Sequence, residues 1–281
     1  MDEELTRRAD IVFVASETLL DAKKRLRNSN KAVADCPNFS ESARTNGTVP
    51  LSETGLLESS NQRTFVNPHG VDTEHFRLAQ VTGEVPTDIA VLGRPIVGFF
   101  GLIEAWIDLD LIEYVARRRP NWTFAMIGRV AVEHAGVAGC KNVVFLGAKP
   151  YALLPAYGRV FDVAVIPYHL TQQVLHANPL KLREYLAMGK PVVSVRTPEI
   201  DRFADVVRIA DTPEEFLNHL DAVLAEPDSI VEIERRMERV AESSWASRVR
   251  TALARIEESS CVARPCQEQM PSGSLGPCAR A

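Results

Sequence analysis

Pro95-Ile96-Val97-Gly98-Phe99-Phe100-Gly101 opens, and Trp122-Thr123-Phe124-Ala125-Met126-Ile127-Gly128 closes, the stretch that decides the fold. Each is a short, nearly unbroken apolar run stopped by glycine, the pattern of a strand covered on both faces. Between them a helix is expected over roughly 107–118. It would set Leu109, Ile112 and Val115 on one face and end at Arg117-Arg118-Arg119 before Pro120. Working outward, strands follow at Val143–Leu146, Val163–Ile166 and Val192–Val195, with a short one near Val206–Ile209. Two long helices, about 213–226 and 229–257, complete the pattern. The fold class is therefore α/β, a Rossmann-like parallel sheet with helices on both faces.

Toward the N-terminus the texture changes. Residues 1–27 hold one apolar run, Ile11-Val12-Phe13-Val14, and a helix carrying Leu19, Leu20 and Leu26. A single strand there has no partner, and a final helix crossing back over it would have nothing to pack against. Residues 28–62 are rich in Asn, Ser, Thr, Gly and Glu and read as a flexible insertion. Residues 63–258 carry the α/β pattern, and 259–281, rich in Cys, Pro, Gly and Ser, read as a disordered tail.

Composition narrows the function classes. A chain of 281 residues with net charge −5 lacks the broad basic face of a nucleic-acid binder. Nowhere do roughly 18 apolar residues run together, so no membrane span is expected. The acidic start, Met1-Asp2-Glu3-Glu4, carries no apolar signal core. Cys36, Cys140, Cys261, Cys266 and Cys278 show no CxxC spacing, which argues against both a zinc site and a disulfide framework. A cytoplasmic location, with no metal and no cofactor, is the expectation.

Ligands of open parallel sheets sit outside the carboxyl ends of the strands. The residues there are Gly101, Gly128-Arg129, Gly147 with Lys149-Pro150-Tyr151, and Pro167-Tyr168. The segment from His176 to Pro191 joins them. Asn178 reads as a helix N-cap, Pro179 as the first helical position and Gly189 as the left-handed C-terminal residue. The N-terminus of such a helix favours a phosphate. Lys181 adds a cation where acids are normally preferred, which suits a bound anion. Glu184, three residues on, could accept hydrogen bonds from a ribose diol. The plainer reading, a solvated Lys181–Glu184 pair, fits the spacing equally, as a surface arginine does for Arg129.

Residues 63–200 resemble the C-terminal domain of GT-B-fold glycosyltransferases, of the retaining family 4 and the teichuronic-acid-type enzymes near it. The likeness rests on Asn67-Pro68-His69-Gly70-Val71-Asp72, Val97-Gly98-Phe99-Phe100-Gly101 and Asn142–Gly147. It continues through Asn178-Pro179-Leu180-Lys181 with Glu184-Tyr185-Leu186-Ala187, and Gly189-Lys190-Pro191-Val192-Val193-Ser194. Residues 3–27 resemble the last helix–strand–helix of the N-terminal acceptor domain.

The resemblance implies a nucleotide-diphosphate sugar as donor, an acceptor it does not identify, and transfer with retention. It leaves peripheral membrane contact open. Glu184 matches the glutamate that holds the donor ribose, and Asn178, Pro179 and Leu180 match the segment that meets the diphosphate. Lys149 and Tyr151 fall in the region flanking the base, and Arg129 is a candidate phosphate contact. Three departures stand out. The position eight before Glu184, where the family often has a second glutamate, is His176. The loop after Gly101 offers Glu104 and Asp108 but no cation. Most of the acceptor domain has no counterpart. A second reading therefore keeps the fold and drops the chemistry, as a truncated or non-catalytic fragment that binds donor without transfer. A dinucleotide oxidoreductase would need GxGxxG after the first strand, and Gly98-Phe99-Phe100-Gly101 is not that motif.

Overall fold

The computed structural model describes residues 9–34, 63–81, 83–133 and 135–262; the side chains of 26–34, 135 and 260–262 are outside that description. The expected insertion from residue 35 to 62, the tail from 263, the first eight residues and His134 also lie outside it.

Six strands, β3 (Ile96–Phe100), β4 (Thr123–Ile127), β5 (Val143–Gly147), β6 (Val163–Ile166), β7 (Val192–Val195) and β8 (Arg208–Ala210), form one sheet. Their order is β5-β4-β3-β6-β7-β8 and every pairing is parallel. All five residues of β3 and all four of β6 are buried, as their apolar runs require. The edge strand β5 is only half-buried. Successive strands are added on one side from β3 to β5 and on the other from β6 to β8, so the strand order reverses between β3 and β6 and their carboxyl ends form the switch point where α/β folds bind ligands.

Local chemistry explains the flanking helices. In α3 (Leu109–Arg118) the Asp108 carboxylate accepts from the Leu111 N–H at 2.8 Å, while Arg117 and Arg118 complement the other end of the helix dipole. Asn142 ties that helix to the next strand by donating to the carbonyls of Ala116, Arg119 and Trp122.

Ile11–Val14 (β1) is not alone. It pairs in parallel with β2 (Arg63–Val66), a run of the sequence assigned to the following domain, and so forms a separate two-stranded sheet. A helix, α1 (Glu17–Ala34), extends seven residues into the segment expected to be a loop. At the other end of the chain the expected 229–257 helix is broken. It consists of α8 (Ile230–Glu238), a 3-10 turn at Ala241–Ser243, and α9 (Trp245–Val262). The break has a tertiary cause: the Ser243 carbonyl accepts from the Val71 N–H at 2.8 Å, and Val71 bridges to Ser244. Four residues of the expected tail are the last turn of α9. This helix does find something to pack against, because Arg255 lies 5.3 Å from the Phe65 ring centroid and Arg63 donates to the Ser259 hydroxyl. The strand expected at 206–209 sits one to two residues later, as β8.

Gly98 is the packing constraint at the centre of the sheet. A Cβ there would sit 2.2–2.3 Å from three atoms of the Phe161 ring, so the ring occupies the space that a side chain would need. Gly98→Ala is expected to cost about 1–3 kcal/mol in urea unfolding through overpacking. Adding Phe161→Leu should return part of it; a Gly98→Ala protein as stable as wild type would contradict this packing.

Candidate functional site

The carboxyl ends of β3 and β4 meet at two glycines. Gly101 and Gly128 have φ of 138° and 147°, a region that L side chains rarely adopt. A Cβ on Gly128 would stand 1.8 Å from the Gly101 carbonyl oxygen, and one on Gly101 would stand 1.9 Å from Cε of Lys181. The two strand ends and the Lys181 stem thus occupy one contact made possible by the missing side chains.

Lys181 comes from α5 (Leu180–Ala187), the helix expected from Asn178 onward. The helices that flank it in sequence are α4 (Gln172–His176), before it, and α6 (Pro198–Asp201), after it. Tyr185 fixes α5 beneath the switch point: its hydroxyl accepts from the Phe100 N–H at 2.9 Å. β3 and β6 are paired only at Val97 and Gly98, so the hydroxyl takes over a backbone donor where the two strands part. Gly189 has φ of 69° and closes the helix as expected.

The start of α5 corrects the sequence reading. Pro179 holds the cap position and the helix has no side-chain cap. Asn178 is buried and turned elsewhere. Its Oδ1 accepts from the His69 N–H at 3.2 Å, and its Nδ2 donates to Glu199 Oε1 at 2.7 Å. That same Oε1 accepts from Arg183 Nη2 at 2.8 Å. A buried carboxylate attracts donors more strongly than a backbone cap does, because the bond is charge-assisted and screened from water. The first-turn N–H groups of α5 are left without a side-chain partner.

Two ionisable groups beside this open helix end are shifted by burial. Glu184 is 6% exposed, and its carboxylate makes no hydrogen bond or ion pair among the described residues. Burial pushes its pKa up to about 7, against the pull of Lys181. Burial lowers the pKa of Lys181, opposed by Glu184. Two phenols share the neighbourhood. The Tyr151 hydroxyl is pushed up to about 12 by burial, then by Glu184 and Asp72. That of Tyr168 is raised by burial and then by Glu184. Tyr151 also stacks on the His75 ring at 4.6 Å and remains half exposed.

Gly101, Gly128, Lys181, Glu184, Tyr151 and the segment Asn178–Leu180 therefore converge. Other expected residues are placed differently. Lys149 donates to Asp88 at 2.6 Å and lies 5.4 Å from the Tyr157 ring centroid, so its charge is already committed. Arg129 is exposed, and its carbonyl accepts from the Ile103 N–H at 3.0 Å. Of the two acids after Gly101, Asp108 caps α3 and Glu104 accepts from the Ala105 N–H. Trp106 packs against the core. His176 has a buried Nδ1 without a partner among the described residues, and its carbonyl accepts from the Ser16 hydroxyl at 2.8 Å. Glu199 and Arg183 were not singled out by sequence. Thr197-Pro198-Glu199 reads as an ordinary helix start, which it also is, so nothing local marks Glu199 as a buried partner. Among the described residues no cluster of acids, histidines or cysteines is arranged for a metal, and no helix is long and apolar enough to cross a membrane.

A raised acid pKa favours the protonated fold. The penalty is absent below the ordinary value near 4.5, grows as pH rises through about 7, and is complete above it. The shift corresponds to on the order of 3 kcal/mol. Glu184→Gln should accordingly gain stability over wild type by about that amount between pH 4.5 and 8, measured by urea unfolding without ligand. A difference independent of pH would contradict the environment assigned to Glu184.

Residues 94–226 match the family model described as glycosyl transferases group 1. TuaH of Bacillus subtilis (strain 168), assigned by its name to teichuronic acid biosynthesis as a glycosyltransferase, is 28% identical over 152 residues. That match covers 52% of this chain and 38% of TuaH. The fold aligns with a UDP-forming trehalose-phosphate synthase from Burkholderia xenovorans at TM-score 0.67 and 16% identity, covering 92% of this chain and 64% of that one. Sucrose-phosphate synthase from Thermosynechococcus elongatus aligns at 0.63 and 16% identity, covering 92% and 61%. Anabaena Alr3699/HepE, solved with UDP and glucose, aligns at 0.50 and 17%, covering 70% and 57%. The chain spans less than two thirds of each of these relatives. The expected fold class stands: this is the Rossmann-like C-terminal half of a GT-B fold.

Proposed function

From the match of residues 94–226 to the glycosyl transferases group 1 model and the geometry above, we propose that the carboxyl edge of the sheet binds the nucleotide-diphosphate part of a sugar donor for glycosyl transfer with retention. The single observation that carries this reading is the uncapped start of α5, flanked by Lys181 and by a buried, unpaired Glu184. An open helix end with a lysine in its first turn suits a diphosphate. A carboxylate held without partners suits the two hydroxyls of a ribose, which would supply the donors that the fold withholds. Gly101 and Gly128 let the strand ends close around the Lys181 stem, and Asn178, Pro179 and Leu180 shape the turn that meets the phosphates. Tyr151, stacked on His75, would meet the base. Arg129, exposed at the end of β4, is the second candidate phosphate contact. Lys149 would join the base region only by leaving Asp88. The UDP in the HepE complex is a chemical precedent in a similar fold.

His176 supports a second reading, donor binding without transfer, since an imidazole stands where the resembling enzymes often carry a glutamate.

Calorimetric titration with UDP, GDP and ADP tests the donor site. One of them is expected to bind, and Glu184→Ala to weaken it by at least about tenfold, the loss of hydrogen bonds to a charged acceptor. Unchanged affinity in Glu184→Ala would sink the assignment. A transfer assay on the same chain with the matching sugar nucleotide separates the two readings, turnover favouring the enzyme.

A further inference from the structure

The donor-site reading leaves one feature unused: the buried cluster behind Asn178. Glu199 is 5% and Arg183 2% exposed, and Glu199 Oε1 receives both Arg183 Nη2 at 2.8 Å and Asn178 Nδ2 at 2.7 Å. The other two guanidinium nitrogens of Arg183 are buried without a partner among the described residues, and its carbon lies 5.3 Å from the Phe203 ring centroid. The pair joins α5, which carries Arg183, to α6, which carries Glu199. Asn178 is the third member and the only one next to the helix start. On its far side its Oδ1 holds the His69 N–H of the loop that leads in from β2.

An asparagine beside a helix start ordinarily accepts from the first-turn N–H groups. Here the side chain is pulled the other way by a buried carboxylate and a loop amide. Both ends of the amide are engaged, and the orientation that serves them leaves α5 without a side-chain cap. Released from Glu199, it would be free to turn toward those same N–H groups and occupy the place of an anion.

We infer that Glu199, held by Arg183, is a positioning residue that keeps the N-terminal end of α5 open for the diphosphate by holding Asn178 away from it. This rests on the donor-site reading above. Glu199 touches no part of the ligand in this account and acts only through Asn178. The consequence is selective: losing the tether should weaken the phosphate contacts and spare those to ribose and base.

The test compares two variants of the full chain that lack both buried charges. Arg183→Met with Glu199→Gln keeps an oxygen to accept from Asn178; Arg183→Met with Glu199→Ala removes it. Removing the pair together avoids stranding one buried charge, which is the costly change. Each is titrated with the nucleoside diphosphate that wild type binds best and with the corresponding nucleoside. The alanine variant is expected to bind the diphosphate about tenfold more weakly than the glutamine variant, the scale of a competing cap, with nucleoside affinities within about twofold. Equal diphosphate affinities, or parallel losses for diphosphate and nucleoside, would overturn the positioning role. If the alanine variant does not fold, Arg183→Met with Glu199→Leu, which fills the vacated volume, gives the same comparison. Wild type that binds no nucleoside diphosphate overturns the donor-site reading itself, and this inference with it.

Discussion

A parallel sheet sends all its carboxyl ends to one edge, and the rest of this molecule is arranged around what happens there. β3 and β6 part at the switch point, and the Phe100 N–H, which no neighbouring strand receives, goes to the hydroxyl of Tyr185. That bond fixes the helix from which Lys181 and Glu184 emerge. Gly101 and Gly128 then let the ends of β3 and β4 close around the Lys181 stem. Removing any one of these contacts would change the position of the charged groups relative to the sheet edge.

Those charged groups are costly where they stand. A buried carboxylate without hydrogen bonds and a half-buried ammonium beside it are both disfavoured by desolvation, and their mutual attraction offsets only part of that. Folds seldom keep such a pair for stability, and perturbed ionisable groups gather at binding sites. On the proposed reading, the partners that this pair lacks come from the bound donor.

The strands were legible because each is an apolar run buried on both faces, a signal that survives without tertiary knowledge. The ends of α3 and the left-handed Gly189 were legible for the same reason, since their causes lie within a few residues. Where a cause lay far away, local reading failed. Asn178 looks like a cap and serves Glu199 and His69 instead, because buried charge outbids a backbone donor. The last helix breaks at Ser243 because Val71 needs an acceptor there. β1 seemed unpartnered because Arg63-Thr64-Phe65-Val66 is short, half polar and separated from it by a long intervening segment. Lys149, read as a ligand group from its place after β5, is committed to Asp88, whose position no spacing in the sequence reveals.

The central claim is that the open start of α5 receives the phosphates of a nucleotide. Amide hydrogen exchange, followed residue by residue with and without a saturating nucleoside diphosphate, measures it directly. The account predicts that slowed exchange concentrates at Leu180, Lys181 and Leu182 and at the turns after β3 and β4. Protection confined to the opposite, amino-terminal edge of the sheet, with the first turn of α5 unchanged, would contradict it.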